Sequence, residues 1–234
     1  MCGRFFLSIP GPELARQFEL AAPAEDQARF NIAPGQRVPM VRVARAADGA
    51  PTRVLAQPRW GFVPVWAKDP RAGRRPINAR AETAARSPLF RAALARRRGL
   101  VPASGFYEWQ HAGRRARPFV IRPRGGGLLA LAAIFERRET EADASETCAI
   151  LTTEAVAPVR AIHDRMPVCV PPEAYARWLD PSVRDPGEFA PLLAARPALA
   201  LEAYPVDARV NAVREDDPHL IEPARDLFAA GGSA

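Results

Sequence analysis

The chain has 234 residues, enough to bury a full hydrophobic core as one large domain or two small ones. Hydrophobic residues make up 48% and charged residues 25%, a globular balance that excludes a disordered or fibrous chain. The net charge of +7 and the pI near 10.3 favour a polyanionic partner such as nucleic acid. Lys68 is the only lysine, so the choice of arginine says little and the excess of positive charge carries the signal.

No apolar run approaches the roughly 18 residues of a membrane span. The longest candidate, Leu128 to Phe135, is of strand length. The N-terminus lacks the basic flank, apolar segment and small-residue cleavage site of a signal peptide, so a cytoplasmic protein without a membrane partner is expected. Three cysteines, an odd and sparse set, argue against a disulfide framework. Cys148 and Cys169 lie in apolar strand-like runs and read as small core residues. The histidines lie far apart and there is no CxxC pair, so no zinc site, metal or cofactor is expected.

In chain order, Phe5 to Ile9 reads as a strand, followed by a helix opened by Pro12 and running through Leu14, Phe18 and Leu20. Arg29 to Gly35 reads as a turn-rich loop punctuated by Pro34-Gly35. Val38 to Val43 and Arg53 to Trp60 are strands, with Asp48-Gly49 marking a hairpin between them. Trp60 to Trp66 is an aromatic-rich loop, read either as core packing or as a platform for stacked bases. Pro70 to Pro76 reads as a basic loop, and Ile77 to Thr83 begins extended and turns helical. A helix over Pro88 to Arg98 places Leu89, Ala92, Ala93 and Arg96 on one face. Its Arg96-Arg97-Arg98 end complements the helix dipole and reads as a solvated last turn rather than a DNA contact.

Strands follow at Leu100 to Ala103, Gly105 to Gln110 and Pro118 to Arg122, the last two joined by a turn at Gly113-Arg114. Leu128 to Phe135 and Thr147 to Thr153 are apolar on both alternating positions, hence central and buried, with Arg137 to Glu146 a charged surface loop between them. A short helix from Ala155 leads through His163-Asp164-Arg165 to a strand at Val168 to Val170. Helices at Glu173 to Leu179 and Glu188 to Ala195 precede a last strand at Leu201 to Val206, and the tail from Ala224 reads as frayed. Strands outnumber helices and are joined mostly by hairpin-length links. That predicts an α+β fold with curved, mostly antiparallel sheets in a barrel-like core flanked by helices.

The residues with chemistry begin at Met1-Cys2-Gly3-Arg4-Phe5. Removal of Met1 puts the Cys2 thiol and an α-amine on adjacent carbons, a 1,2-aminothiol that condenses with an aldehyde to a thiazolidine. From these residues alone, an accidental thiol at a loose terminus is the commoner outcome. Glu108, between Tyr107 and Trp109, is desolvated if it points inward, which raises its pKa toward acid–base use; on local pattern an outward edge-strand charge is commoner. Asn78 alone is an ordinary turn or cap residue, and His163 alone a satisfied core or helix-end histidine.

Taken together the motifs are specific. Cys2-Gly3-Arg4-Phe5, Phe30-Asn31-Ile32-Ala33-Pro34-Gly35, Trp60-Gly61 with Pro64 and Trp66, Asn78 to Thr83, Gly105 to Trp109 and His163 to Pro167 occur in order, with a weaker match at Val210-Asn211, Pro218, Leu220-Ile221 and Pro223. In these the chain resembles the SRAP family, the SOS response-associated peptidase proteins that handle abasic sites. The resemblance implies a single domain over residues 2–223 with a tail at 224–234. It departs in the loop from Pro70, in Arg137 to Glu146 and in Val213 to Asp217.

The resemblance implies a protein that crosslinks itself to abasic sites in single-stranded DNA through Cys2, with Asn78, Glu108 and His163 as its other active-site residues. It implies phosphate contacts from Arg4, Arg80 and Arg165 and base stacking on Trp66 or Trp109. It further implies a monomer associated with the nucleoid or replication fork, and removal of Met1 either by the protein itself or by an aminopeptidase. Two other readings fit the same residues: a cysteine peptidase acting on other proteins through Cys2, and a non-covalent single-strand binding module.

Overall fold

The computed structural model describes residues 2–22, 24–25, 28–67, 73, 75–113, 115–139, 144–194 and 200–224. The chain opens with strand β1 (Phe5–Leu7), buried throughout, and helix α1 (Gly11–Phe18). Pro10 and Pro12 preset the first turn, and Glu19 ends the helix in the left-handed region at φ 52°. The inner face of α1 buries Leu14 and Phe18, and the Phe18 ring stacks on Tyr175 at 5.2 Å. The segment expected as a loop from Arg29 is instead β2 (Arg29–Ile32), paired with β1 through Phe5↔Ile32. The turn begins only afterwards, with Gly35 at φ 84°.

Strands β3 (Met40–Arg45) and β4 (Pro51–Ala56) form the hairpin that Asp48-Gly49 announces, with Gly49 at φ 83°. The two-residue β5 (Arg59–Trp60) and β6 (Asn78–Arg80) precede the short helices α2 (Ala81–Ala84) and α3 (Arg91–Arg96). Helix α3 is shorter than expected and buries Ala93 and Leu94, while Ala92 and Arg96 are exposed. Arg98 is not a solvated helix end; it opens β7 (Arg98–Ala103) and is 4% exposed.

The long strands come next: β8 (Gly105–Ala112), β9 (Arg115–Pro123), β10 (Leu129–Glu139) and β11 (Ala144–Glu154). Of the stretch expected as a loop between β10 and β11, residues 137–139 and 144–146 are instead paired strand, with Glu139↔Ala144 the last pair, and residues 140–143 lie outside the described residues. A 3-10 turn at Val159–Ala161 stands where a helix was expected. β12 (Arg165–Pro167) lies three residues before the expected strand, and the expected residues Val168 and Val170 continue its bonding to β10 and β11. Helices α4 (Tyr175–Leu179) and α5 (Ala190–Ala194) and strand β13 (Leu201–Pro205) complete the order.

The result is the expected α+β architecture, two curled and mostly antiparallel sheets forming a half-barrel with a few short helices. One sheet runs β13-β9-β8-β1-β2 and the other β12-β11-β10-β7-β3-β4, with β5 and β6 lying parallel along the free edge of β11. The chain crosses between the sheets at Ser104, the single residue separating β7 from β8. The crossing requires glycine at position 105: a Cβ there would stand 2.6 Å from the Ile121 carbonyl oxygen and from the Phe6 ring. Cys148 and Cys169 are buried between the layers, as their apolar surroundings predict. No helix among the described residues is long and apolar enough to cross a membrane.

Candidate active site

The N-terminal residues lie where the two sheets meet. Strand β1 pairs with β8 through Phe5↔Phe106, and the Tyr107 amide donates to the Arg4 carbonyl at 2.9 Å. The same antiparallel register carried one step further sets Glu108 opposite Gly3, beside Cys2. From the other sheet, Asn78 on β6 is in register with Ile150 of β11. Its Nδ2 donates to the Cys2 carbonyl at 2.8 Å. Its Oδ1 is buried with no hydrogen-bond partner among the described residues, an acceptor left for a further group.

Cys2 is fully buried, and burial is the first cause pushing its thiol far above the ordinary range; the Glu108 carboxylate adds to the effect. Glu108 is 2% exposed, which corrects the outward-facing alternative. Burial raises its pKa from 4.5 to about 7, so at neutral pH both its protonated and ionised forms are present.

His163 sits on the loop from β11 to β12. Ala155 N–H donates to the Asp164 carbonyl at 2.8 Å and His163 N–H to the Val159 carbonyl at 2.9 Å, closing the loop. The loop is tied to β8 by Gln110, whose Nε2 donates to the Ala161 carbonyl at 3.0 Å. His163 Nδ1 accepts from the Arg165 amide at 2.9 Å, which assigns the proton of the neutral ring to Nε2. Asp164 Oδ1 lies 2.8 Å from the same Nδ1, but at 85% side-chain exposure it is well solvated. Burial lowers the His163 pKa, and the neutral ring is the form that suits the amide bond. An open cleft of about 510 Å³ is lined here by Glu154, Arg160, Ile162, His163, Asp164 and Arg165.

The arginines expected at phosphates stand in different states. Arg80 is exposed, and its side chain makes no hydrogen bond or ion pair among the described residues. Arg4 is half-buried: Nη1 donates to Asn31 Oδ1 at 2.6 Å and to the Val210 carbonyl at 2.7 Å, and its guanidinium lies 5.9 Å from the centre of the Trp109 ring. Arg165 forks onto Glu82 at 2.8 and 2.9 Å and also donates to the Thr152 carbonyl at 2.6 Å. That pairing lowers the Glu82 pKa. Trp109 is half-buried, its Nε1 donating to Asn211 Oδ1 at 2.8 Å.

Trp66 stands apart from this group. It is 67% exposed on a loop fastened to the start of β11, where Thr147 Oγ1 accepts from the Val63 amide at 3.0 Å. The aromatic run therefore divides: Trp60 and Phe62 are core, whereas Val65 and Trp66 face outward. Sequence reading gave no role to Asn31, Glu82 or Asn211, although each lies in a quoted motif. Asn31 is fully buried, and its Nδ2 donates to the carbonyls of Val210, Ala212 and Glu215. A polar residue between Phe30 and Ile32 was the available sign.

The fold and site thus define an α+β domain in which a buried cysteine at position 2 is set among an asparagine, a buried carboxylate and a histidine-bearing loop. A family model described as "SOS response associated peptidase (SRAP)" matches residues 1–213, and the chain belongs to that family. Among its relatives, "Abasic site processing protein YoqW" of Bacillus subtilis is 37% identical over 227 residues, covering 95% of this chain and 99% of the relative. "Abasic site processing protein YedK" of Escherichia coli is 31% identical over 232 residues, covering 95% and 100%. A crystal structure of a protein from Bacteroides thetaiotaomicron shares the fold at a TM-score of 0.78 and 23% identity, covering 95% of this chain and all of that one.

Proposed function

We propose that this protein processes abasic sites in single-stranded DNA by forming a thiazolidine through Cys2 after Met1 is removed. The carrying observation is the convergence of Asn78 and Glu108 on the N-terminal residue: a 2.8 Å bond to the Cys2 carbonyl and a buried carboxyl with a pKa of about 7. The relatives named as abasic site processing proteins support the same reading.

An abasic deoxyribose is mostly a closed hemiacetal. Glu108 moves the proton between the ring oxygen and the anomeric hydroxyl, opening the sugar to its aldehyde. The Cys2 amine adds to the carbonyl carbon and one water leaves, giving an imine. The Cys2 sulfur then adds to the imine carbon while its proton passes to nitrogen, closing the five-membered ring. The sum is aldehyde plus aminothiol to thiazolidine plus water. Asn78 fixes the Cys2 backbone and offers Oδ1 to the amine or a sugar hydroxyl. His163, neutral with its proton on Nε2, exchanges protons at the rim of the site. The exposed Arg80 guanidinium and the positive net charge hold the strand.

Intact mass measurement tests this directly. Mixed with a single-stranded oligonucleotide carrying one abasic site, the protein gains the mass of the oligonucleotide less one water, and the adduct survives heating. Cys2→Ala abolishes it, and Cys2→Ser leaves at most a heat-labile imine. A heat-stable adduct from Cys2→Ala, or from a chain still carrying a residue before Cys2, refutes the assignment.

A further inference from the structure

Val65 and Trp66 are 54% and 67% exposed, and among the described residues the other exposed large apolar side chain is Val213 at 45%. An exposed tryptophan on a slack loop would collapse onto the surface. This loop is held from beneath. Val63 is fixed to Thr147 in the core, and the Ala67 amide closes a turn onto the Pro64 carbonyl at 3.0 Å. On the hairpin arm of β10, Arg138 directs Nη1 to the carbonyls of Ala67 at 2.6 Å and of Pro64 and Val65 at 3.3 Å. The loop backbone is thereby satisfied on its inner side, and its apolar side chains are left facing solvent.

We infer that Arg138 is a positioning residue: it presents Val65 and Trp66 as a rigid platform for a nucleobase of the single strand, acting through the loop backbone and not through a phosphate. The occupant follows from the surroundings. A flat, exposed aromatic face on a chain of net charge +7 suits a stacked base on a polyanionic strand rather than an apolar protein surface. The inference rests on the single-strand binding half of the proposed function and is independent of the Cys2 chemistry.

The test is a double-mutant cycle on the affinity for a fluorescein-labelled, lesion-free single-stranded oligonucleotide, measured by anisotropy over a range of salt. Trp66→Ala weakens binding about tenfold, as loss of one stacked base does. Arg138→Ala weakens it several-fold, leaves the salt slope at its wild-type value, and adds nothing when Trp66 is already alanine. Effects that add, or a salt slope lower by about one in Arg138→Ala, overturn the inference and make Arg138 a phosphate contact. So does wild-type affinity in Arg138→Ala. Melting temperature of each variant separates loss of fold from loss of platform. Failure of wild-type protein to capture an abasic strand strikes the proposed function alone, whereas an additive cycle beside normal capture strikes this inference alone.

Discussion

Asn78 Nδ2 donates to the Cys2 carbonyl oxygen at 2.8 Å, and this bond joins the N-terminal residue to the sheet that does not contain β1. The strand register of β1 fixes Phe5 and its neighbours, but it would leave a terminal residue free to swing. Asn78 removes that freedom from the far side. Two independent elements, β8 and β6, therefore fix where the Cys2 backbone lies.

Replacing Asn78 tests how much of the chemistry depends on that placement. Asn78→Ala removes the anchor and should slow adduct formation by roughly 10- to 100-fold in single-turnover measurements at saturating DNA. The loss of one partly buried hydrogen bond should cost about 1 kcal/mol in stability. Asn78→Asp should be slower still, since a carboxylate cannot donate to the Cys2 carbonyl. A single-turnover rate within twofold of wild type in Asn78→Ala would remove Asn78 from the mechanism.

Glu108 and His163 predict opposite pH dependences. The Glu108 pKa rises from 4.5 to about 7, so between those values the folded protein holds a proton that the unfolded chain releases. Stability from this group is therefore greatest at low pH and falls as pH rises to about 7. The His163 pKa is lowered by burial, so its effect has the other sign: stability is lost as pH falls through the ordinary histidine range. Melting temperature followed across this range should fall less steeply toward neutral pH in Glu108→Gln than in wild type. Capture rate in wild type should decline above an apparent pKa near 7, and Glu108→Gln should be slow without that limb. An unchanged pH profile in Glu108→Gln would sink the proton-transfer role.

Gly105 is a test of the fold itself. It follows the one residue by which the chain changes sheets, and an added methyl would meet the Ile121 carbonyl oxygen and the Phe6 ring at 2.6 Å. Neither can retreat cheaply, since Ile121 is paired in β9 and Phe6 is packed on Tyr107. Gly105→Ala should cost about 1–3 kcal/mol by chemical denaturation. Because Glu108 lies three residues along the same strand, capture should slow as well. A variant as stable as wild type would mean that the crossing tolerates a side chain.

Much of this was legible in the sequence because the signals are local. Hairpins announced themselves through Asp48-Gly49 and Gly113, and the apolar runs of β10 and β11 through their lack of polar alternation. The site was legible as a set of motifs, but what each member does in space was not. Glu108 reads as an edge charge until the pairing of β1 with β8 closes over it, and Asn31 reads as part of a loop until the 210–216 segment folds onto its side chain. Long-range closure of this kind leaves no periodicity. Arg98 is the clearest case, since a run of three arginines after a helix has the local pattern of a solvated end.

In the structure Arg98 is a buried cation that makes no carboxylate ion pair among the described residues, its hydrogen bonds all going to backbone carbonyls. Nε donates to the Trp178 carbonyl at 2.7 Å, Nη1 to Leu94 at 2.8 Å, and Nη2 to the carbonyls of Asp180 and Val183. Its guanidinium lies 4.3 Å from the centre of the Phe189 ring. Burial lowers its pKa to about 10, so it remains charged at neutral pH. Backbone dipoles and the Trp178 and Phe189 rings surround the charge, the nearby Asp180 favours it, and together they lock α3, α4 and the turn after α4 onto β7. Removing it leaves several inward carbonyls without donors, and Arg98→Ala should cost about 3–5 kcal/mol in urea unfolding. Arg98→Lys should recover only part of this, because one ammonium cannot reach acceptors arranged around a planar fork. Capture at saturating DNA, measured well below the lowered melting temperature, should keep its wild-type rate, since none of these partners touches Cys2, Asn78 or Glu108. A cost below about 1 kcal/mol would mean the carbonyls find water or other donors, and the guanidinium would then be a passenger in the core.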